Sequence, residues 1–201
     1  MLLAEISSVT PCFTPGTLIA TERGQRPVET LRRGDRLVTR DNGLRRIYWT
    51  GRRDVAYEEL CKVEELRPVL IRAGALGAGR PARDTMVSPG HRMLVRGTSA
   101  LFAGEGEVLV AARRLIDHKR VFAPAALGVS YVHLLCDCHQ VILANGLWTE
   151  SFHPDDQLMR AIGNTQRLEL LGLFPEIATV GALRRFPPAR RIIDIHSRFD
   201  G

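Results

Sequence analysis

The residue of this 201-residue chain that most clearly offers chemistry is Cys12. It lies in the run PCFTPGT, between a short N-terminal leader and the first predicted strand, so its thiol could attack the carbonyl group of Pro11. Such an attack replaces the Pro11–Cys12 amide with a thioester and frees the amine of Cys12. Because an amide is more stable than a thioester, this N-to-S acyl shift needs a distorted peptide, an activated sulfur and a proton for the departing nitrogen.

Two further motifs carry polar side chains that suit those requirements. Ser88 and His91 are three residues apart in the run SPGH, and Asp137 and His139 are two apart in the run DCH. An imidazole suits proton transfer because its unperturbed pKa is about 6.5. Taken alone, His91 is more typical of a surface turn, and the pair Asp137 and His139 is equally typical of a solvated strand edge.

A third motif completes an ordered set. The run ANGLW at residues 144–148 is followed by TES, and both come after the cysteine and the S-x-x-H motif. In this order the motifs resemble the Hint family, the self-processing domains of Hedgehog proteins and inteins. The greatest resemblance is to bacterial Hint-like domains that open with CFTPGT and close with NGLW, and it covers residues 11–152.

The resemblance implies a mostly β, horseshoe-shaped Hint fold with pseudo-twofold halves. It also implies that Cys12 is the nucleophile, that His91 protonates the departing nitrogen and that Ser88, where the family usually has Thr, either hydrogen-bonds the scissile peptide or orients the loop. In relatives an acid and a histidine near the end of the domain assist the reaction, and here these are Asp137 and His139. We expect these two side chains on one strand and therefore on one face.

The end of the motif set argues against complete protein splicing. Splicing inteins end in His-Asn, whose Asn cyclises to release the C-terminal flank, whereas Glu150 and Ser151 stand at the aligned positions. The sequence therefore favours cleavage at Pro11–Cys12 alone, with the N-terminal flanking segment as substrate and water or a thiol as the second nucleophile. The alternative is a Hint-fold binding or structural module without turnover.

Composition argues against other classes of function. The net charge is +6, but the basic residues interleave with acids and lack an aromatic stacking pattern, so we expect no nucleic-acid partner. No apolar run approaches the ~20 residues that span a bilayer, and the start MLLAE lacks the basic and apolar regions of a signal peptide. We expect no membrane partner. The compartment stays open between the cytoplasm and an exported bacterial protein.

Cysteine spacing does not indicate a disulfide framework. The chain has four cysteines: Cys12, Cys61, Cys136 and Cys138. We interpret all of them as reduced thiols. A zinc site built from Cys136, Cys138 and His139, with Cys12 or His91, is a weak alternative because no C-x-x-C pair is present. We therefore predict neither a metal nor a cofactor.

Short strands separated by turns must position these residues. Alternating hydrophobicity predicts strands at 17–21, 36–39 and 45–50, with turns at 22–25, 32–35 and 41–43. The Gly/Ala-rich run at 73–81 predicts a loop. Residues 28–37 and 112–121 are weakly similar at an offset of 84, as repeated halves would require.

Beyond Phe152 the pattern changes to helical spacing. Apolar residues predict helices at 154–162, 165–173 and 177–185. We therefore divide the chain into an N-terminal leader (1–11), a Hint-like β domain (12–152) and a small helical C-terminal extension (153–201).

Overall fold

Short β-strands dominate the computed structural model, which describes residues 11–96, 106–153, 164–173 and 187–193. The mostly β prediction is confirmed. The predicted helices at 154–162 and 177–185, and the leader before Pro11, lie outside the described residues.

The strands keep the order that the sequence indicates. They are β1 (Leu18–Thr21), β2 (Gly24–Pro27), β3 (Arg36–Val38), β4 (Leu44–Arg46), β5 (Trp49–Ala56), β6 (Val69–Ile71), β7 (Thr85–Val87), β8 (Arg92–Val95), β9 (Val108–Ala111), β10 (Val121–Phe122), β11 (Gly128–Leu135), β12 (Val141–Ala144), β13 (Leu147–Glu150) and β14 (Ile192–Ile193). The described α-helices are Tyr57–Lys62 and Asn164–Leu173, and the 3₁₀ turns are Val28–Thr30, Glu64–Leu66 and Ala112–Leu115.

Three sheets result from this order. The largest has nine strands, in the order β14-β9-β8-β13-β12-β1-β3-β4, with β2 paired to β1. Strands β10, β6 and β7 form the second sheet. Strands β5 and β11 form an antiparallel ribbon whose register runs from Trp49 opposite Leu135 to Ala56 opposite Gly128. This register decides which side chains of β11 point toward the N-terminal segment.

The two similar segments found in the sequence fold alike. Val28 begins one 3₁₀ turn and Ala112 begins another, and both residues are buried. Strand β3 follows the first turn and β10 follows the second. The offset of 84 residues therefore relates equivalent elements, in agreement with the expected repeated halves.

Phe13 fixes the N-terminal segment in the middle of the domain. Its backbone N–H donates to Val132 O (2.9 Å), and Val132 N–H donates to Phe13 O (2.8 Å). It also bridges Val87, and its ring is buried in the main hydrophobic core. As a result, Cys12 lies between the end of β7 and the β5–β11 ribbon.

The closing motif ANGLW forms a hairpin between β12 and β13. Asn145 and Gly146 have positive φ angles of 49° and 77°, as a two-residue turn of the primed type requires. The Asn145 amide oxygen accepts Leu18 N–H (2.9 Å), and its amide nitrogen donates to Thr85 Oγ1 (2.9 Å). The turn therefore ties β13 to β1 and β7.

The C-terminal extension is only partly helical. The helix Asn164–Leu173 confirms the prediction at 165–173, whereas β14 was not predicted. Strand β14 pairs in parallel with β9 and buries Ile193 against Val108 and Val110. None of the described helices is long and apolar enough to cross a membrane.

Candidate active site

The Cys12 thiol is buried in an apolar environment. It packs with Val55, Leu60, Leu66 and Tyr131. Burial raises the pKa of the thiol well above its ordinary value, although a hydrogen bond with Ser88 and the positive charge of Arg53 act in the opposite direction. The sulfur is therefore a neutral thiol at pH 7, and it needs a base at the moment it attacks.

His133 has a ring nitrogen close to the Cys12 sulfur. Its Nδ1 atom lies 3.4 Å from Cys12 Sγ and 3.4 Å from the carbonyl oxygen of Pro11. Burial lowers the pKa of His133 to about 4, so the ring is neutral at pH 7. The sequence analysis missed this residue, because a single histidine in the apolar run YVHLL gives no signal until the register of β11 is known.

Aromatic rings hold the His133 side chain in position. The Trp49 ring stacks on it with centroids 6.0 Å apart, and the Phe152 ring meets it edge-on at 5.2 Å. Gly51, opposite His133 in the ribbon, leaves space for this arrangement, since a Cβ atom there would lie 2.1 Å from the Trp49 ring. The imidazole therefore has little freedom to turn away from Cys12.

Ser88 lies directly against the peptide that the sequence analysis selected. Cys12 N–H donates to Ser88 Oγ (2.9 Å), and Ser88 N–H donates to Cys12 O (3.0 Å). Ser88 O also accepts the backbone N–H of His91 (3.1 Å), which closes the turn after β7. The S-x-x-H spacing thus brings both motif residues to the backbone of Cys12.

His91 presents one bonded nitrogen and one unpaired nitrogen. Thr149 Oγ1 donates to Arg92 O (2.8 Å), so it accepts the Nε2–H of His91. The Nδ1 atom is buried and has no hydrogen-bond partner within the described residues, and the ring borders the backbone of Cys12. Burial lowers the pKa of His91 to about 4. An unpaired buried nitrogen beside the scissile peptide is suited to proton transfer.

Asp137 does not lie where the sequence analysis expected it. Strand β11 ends at Leu135, and residues 136–140 lie outside any strand with a bend at 137–138, so the prediction of one strand and one face for Asp137 and His139 is wrong. Asp137 is exposed and lies 3.5 Å from an Arg45 nitrogen. No described hydrogen bond or ion pair joins it to Cys12.

His139, just before β12, belongs to a buried polar cluster that includes Glu150 of β13. Its Nδ1 accepts the N–H of Ala189 (3.1 Å), and its Nε2 lies 3.2 Å from Glu150 Oε2. Glu150 also accepts Arg92 N–H (2.8 Å) and an Arg92 guanidinium N–H (3.0 Å). Burial by itself raises the pKa of Glu150, but Arg92 and His139 more than offset it and bring the pKa to about 2.

The structure offers no support for the zinc alternative. Within the described residues no group of three His, Cys, Asp or Glu side chains is arranged to hold a metal ion. All four cysteines are free thiols, with Cys136 buried and Cys61 exposed.

Comparisons with known proteins relate the chain to the Hint domain. A sequence profile of the Hint domain matches residues 11–156. A bacterial intein-like domain from Clostridium thermocellum is 12% identical with a TM-score of 0.46, over 69% of this chain and 96% of that one. A DnaB intein from Synechocystis is 11% identical with a TM-score of 0.41, over 70% of this chain and 98% of that one. No curated protein matches the chain.

Proposed function

Because the chain belongs to the Hint domain family, we propose that it is an autoprocessing domain that cleaves its own backbone between Pro11 and Cys12. An N-to-S acyl shift moves the acyl group of Pro11 to the Cys12 sulfur, and water or a thiol then resolves the thioester. The observation that carries this proposal is the position of His133 Nδ1, which lies 3.4 Å from the attacking sulfur and 3.4 Å from the attacked carbonyl oxygen.

His133 has the first role in the reaction. As the sulfur of Cys12 bonds to the carbonyl carbon of Pro11, neutral His133 accepts the thiol proton at Nδ1. The resulting imidazolium faces the oxygen on which negative charge develops and stabilises it. One ring thus serves as a base and then as a hydrogen-bond donor. Contacts of this length in the resting state shorten as a reaction proceeds.

Ser88 and His91 act on the departing nitrogen. When the C–N bond breaks, its electron pair stays on the nitrogen of Cys12, which must gain a proton to leave as an amine. Ser88 holds the existing N–H through Oγ, so the new proton arrives from another direction. His91 delivers it from Nδ1 after that ring is protonated. His91 takes that proton from solvent beforehand and is left neutral, and His133 returns the thiol proton to solvent once the C–N bond has broken, so the net change moves one proton from sulfur to nitrogen.

The remaining two residues selected from the sequence do not touch the reacting atoms. Asp137 and His139 make no described contact with Cys12. His139 reaches the site only through Glu150 and strand β13, and Asp137 is exposed and faces Arg45. We propose that neither residue exchanges a proton with the reacting atoms.

The test is intact-mass spectrometry of the full chain with and without a thiol nucleophile. We expect the thiol to increase two products, the 1–11 leader carrying the thiol at its C-terminus and the 12–201 remainder. Cys61→Ala is the matched control, because that thiol is exposed and we expect cleavage to be retained. A chain that stays intact after prolonged incubation contradicts the proposal and supports the non-catalytic Hint module.

A further inference from the structure

A buried carboxylate that the reaction above does not use lies next to the residue that holds His91. Glu150 follows Thr149 in β13 and is fully buried. Burying an ionised carboxylate is costly unless it is paired and hydrogen-bonded. A charge kept in this position therefore calls for an explanation beyond packing.

Arg92 and His139 keep Glu150 ionised. Arg92 donates to it from both its backbone N–H and its guanidinium group, and His139 Nε2 faces its second oxygen at 3.2 Å. Ala189 N–H donates to His139 Nδ1, which leaves Nε2 as the ring nitrogen nearest the carboxylate. The C-terminal segment thus helps to set the orientation of Glu150.

Glu150 and His91 flank the same short piece of backbone. The carboxylate accepts the N–H of Arg92, while Thr149 donates to the carbonyl of Arg92 and holds His91 Nε2. The charged or titratable groups that act on His91 from the packed elements are Glu150 on β13, Arg92 on β8 and His133 on β11. Of these three groups, all within the described residues, Glu150 carries the negative charge.

We propose that Glu150 is a positioning residue of the cleavage reaction, whose buried negative charge stabilises the protonated form of His91 while that ring delivers a proton to the nitrogen of Cys12. This role rests on the proposed function. After burial, which lowers the pKa of His91, Glu150 is the largest influence on it and raises it, whereas Arg92 and His133 lower it. Without Glu150 the ring is harder to protonate, although its contact with Thr149 remains.

Glu150→Gln in the full chain removes the charge and keeps the shape. A fall of one unit in the His91 pKa lowers its protonated fraction about tenfold above that pKa. We therefore expect thiol-induced leader release about tenfold slower near pH 7, with the alkaline limb of its pH–rate profile, where the rate falls as His91 loses its proton, displaced to lower pH by about one unit. Glu150→Asp, which retains the charge, should recover part of the rate. A folded Glu150→Gln variant with an unchanged pH profile overturns the proposal.

Glu107 provides a matched control within the same chain. Its pKa is also about 2: burial raises it, and hydrogen bonds from Arg40, Arg96 and Arg190 outweigh that effect. None of its described bonds reaches Cys12, His91 or His133. Glu107→Gln removes an equally well-paired carboxylate, so we expect the rate and the pH profile of wild type. If Glu107→Gln changed the rate and the pH profile as Glu150→Gln does, the effect would follow from the loss of either carboxylate. The specific role of Glu150 would then be overturned.

A second variant covers the case in which Glu150→Gln does not fold. That substitution leaves the buried Arg92 guanidinium without its carboxylate, whereas Arg92→Met combined with Glu150→Gln removes both charges. Because Glu150 influences His91 more strongly than Arg92 does, the double variant should displace the pH profile in the same direction by a smaller amount. An unchanged profile, or one displaced toward higher pH, contradicts the proposal.

An NMR titration separates this inference from the proposed function. The ring nitrogens of His91 are followed in full-length Cys12→Ala, with and without Glu150→Gln, so that no cleavage interferes. We expect a lower His91 pKa in the double variant. If wild type never cleaves but this pKa still falls, the proposed function is wrong and the electrostatic role of Glu150 stands. If wild type cleaves and the pKa does not fall, the role of Glu150 is wrong.

Discussion

The polar region around Glu107 and the polar region around Cys12 differ in whether their side chains are charged and paired. Around Glu107, a single carboxylate bonds Arg40, Arg96 and Arg190, and Arg190 also pairs with Asp41 through two hydrogen bonds. These side chains are partly exposed to water, and each of them forms an ion pair with a side chain of opposite charge. The network joins residues 187–193 to the residue that precedes β9 and to the turn after β3.

The region around Cys12 has uncharged reactive groups instead. The thiol, His91 and His133 are all buried and neutral at pH 7, and His91 Nδ1 lacks a partner within the described residues. Glu107 has a displaced pKa as well, so a displaced pKa alone does not identify a site. What distinguishes the Cys12 region is burial together with incomplete hydrogen bonding beside a nucleophile.

The largest effect is expected for Cys12→Ala. Without the sulfur no thioester can form, so leader release in the presence of thiol should disappear while the fold persists. Intact-mass spectrometry measures the loss, and circular dichroism checks the fold. Equal cleavage in wild type and in this variant would show that Cys12 is not the nucleophile.

The second effect concerns the residue found only in the structure. His133→Gln keeps a polar side chain but cannot take the thiol proton, so leader release should slow by about 10²–10⁴-fold, the usual contribution of general acid–base catalysis. His118→Asn is the control, because His118 is exposed and has a positive φ that Asn tolerates. If His133→Gln released the leader at the wild-type rate, the base that takes the thiol proton would be a group other than His133.

The third effect is acid sensitivity of the folded state. Burial lowers the pKa values of His91 and His133 from 6.5 to about 4, so the unfolded chain binds more protons between those pH values. Stability is therefore lost as pH falls from 6.5 to 4, by up to about 3 kcal/mol for each histidine. Urea unfolding of Cys12→Ala at pH 7, 5 and 4 measures it. A free energy of unfolding that is flat over this range would contradict the buried neutral state.

The smallest effect is expected in the ion network. Glu107→Gln should lower the free energy of unfolding by about 1 kcal/mol, as partly exposed ion pairs contribute little each. The loss should shrink at high salt, because screening already weakens such pairs in wild type. Urea unfolding at low and high salt tests this. A loss of several kcal/mol would mean that the network, and not the buried cluster, supports the domain.

Local patterns predicted much of the β framework. Alternating hydrophobicity located β1 and β3, and turn residues located the loops between them, because these signals depend on neighbouring residues. Prediction failed at residues 136–140, where the polar run DCH resembles an edge strand but the chain bends after Leu135. It also missed β14, a two-residue strand whose partner β9 lies far away in sequence.

The sequence by itself determined which reactive groups the chain possesses and the family to which it belongs. Cys12 and the Ser88–His91 motif could be selected because each is defined by residue type and short spacing. Only the tertiary structure decided that His133 shares the site, since residues 121 positions apart meet through the β5–β11 register and the bridges at Phe13. It also decided that Asp137 faces solvent while Glu150 is buried. The physical reason is that covalent spacing determines the order of side chains along a strand, whereas register and turns determine which face, and which partner, each side chain meets.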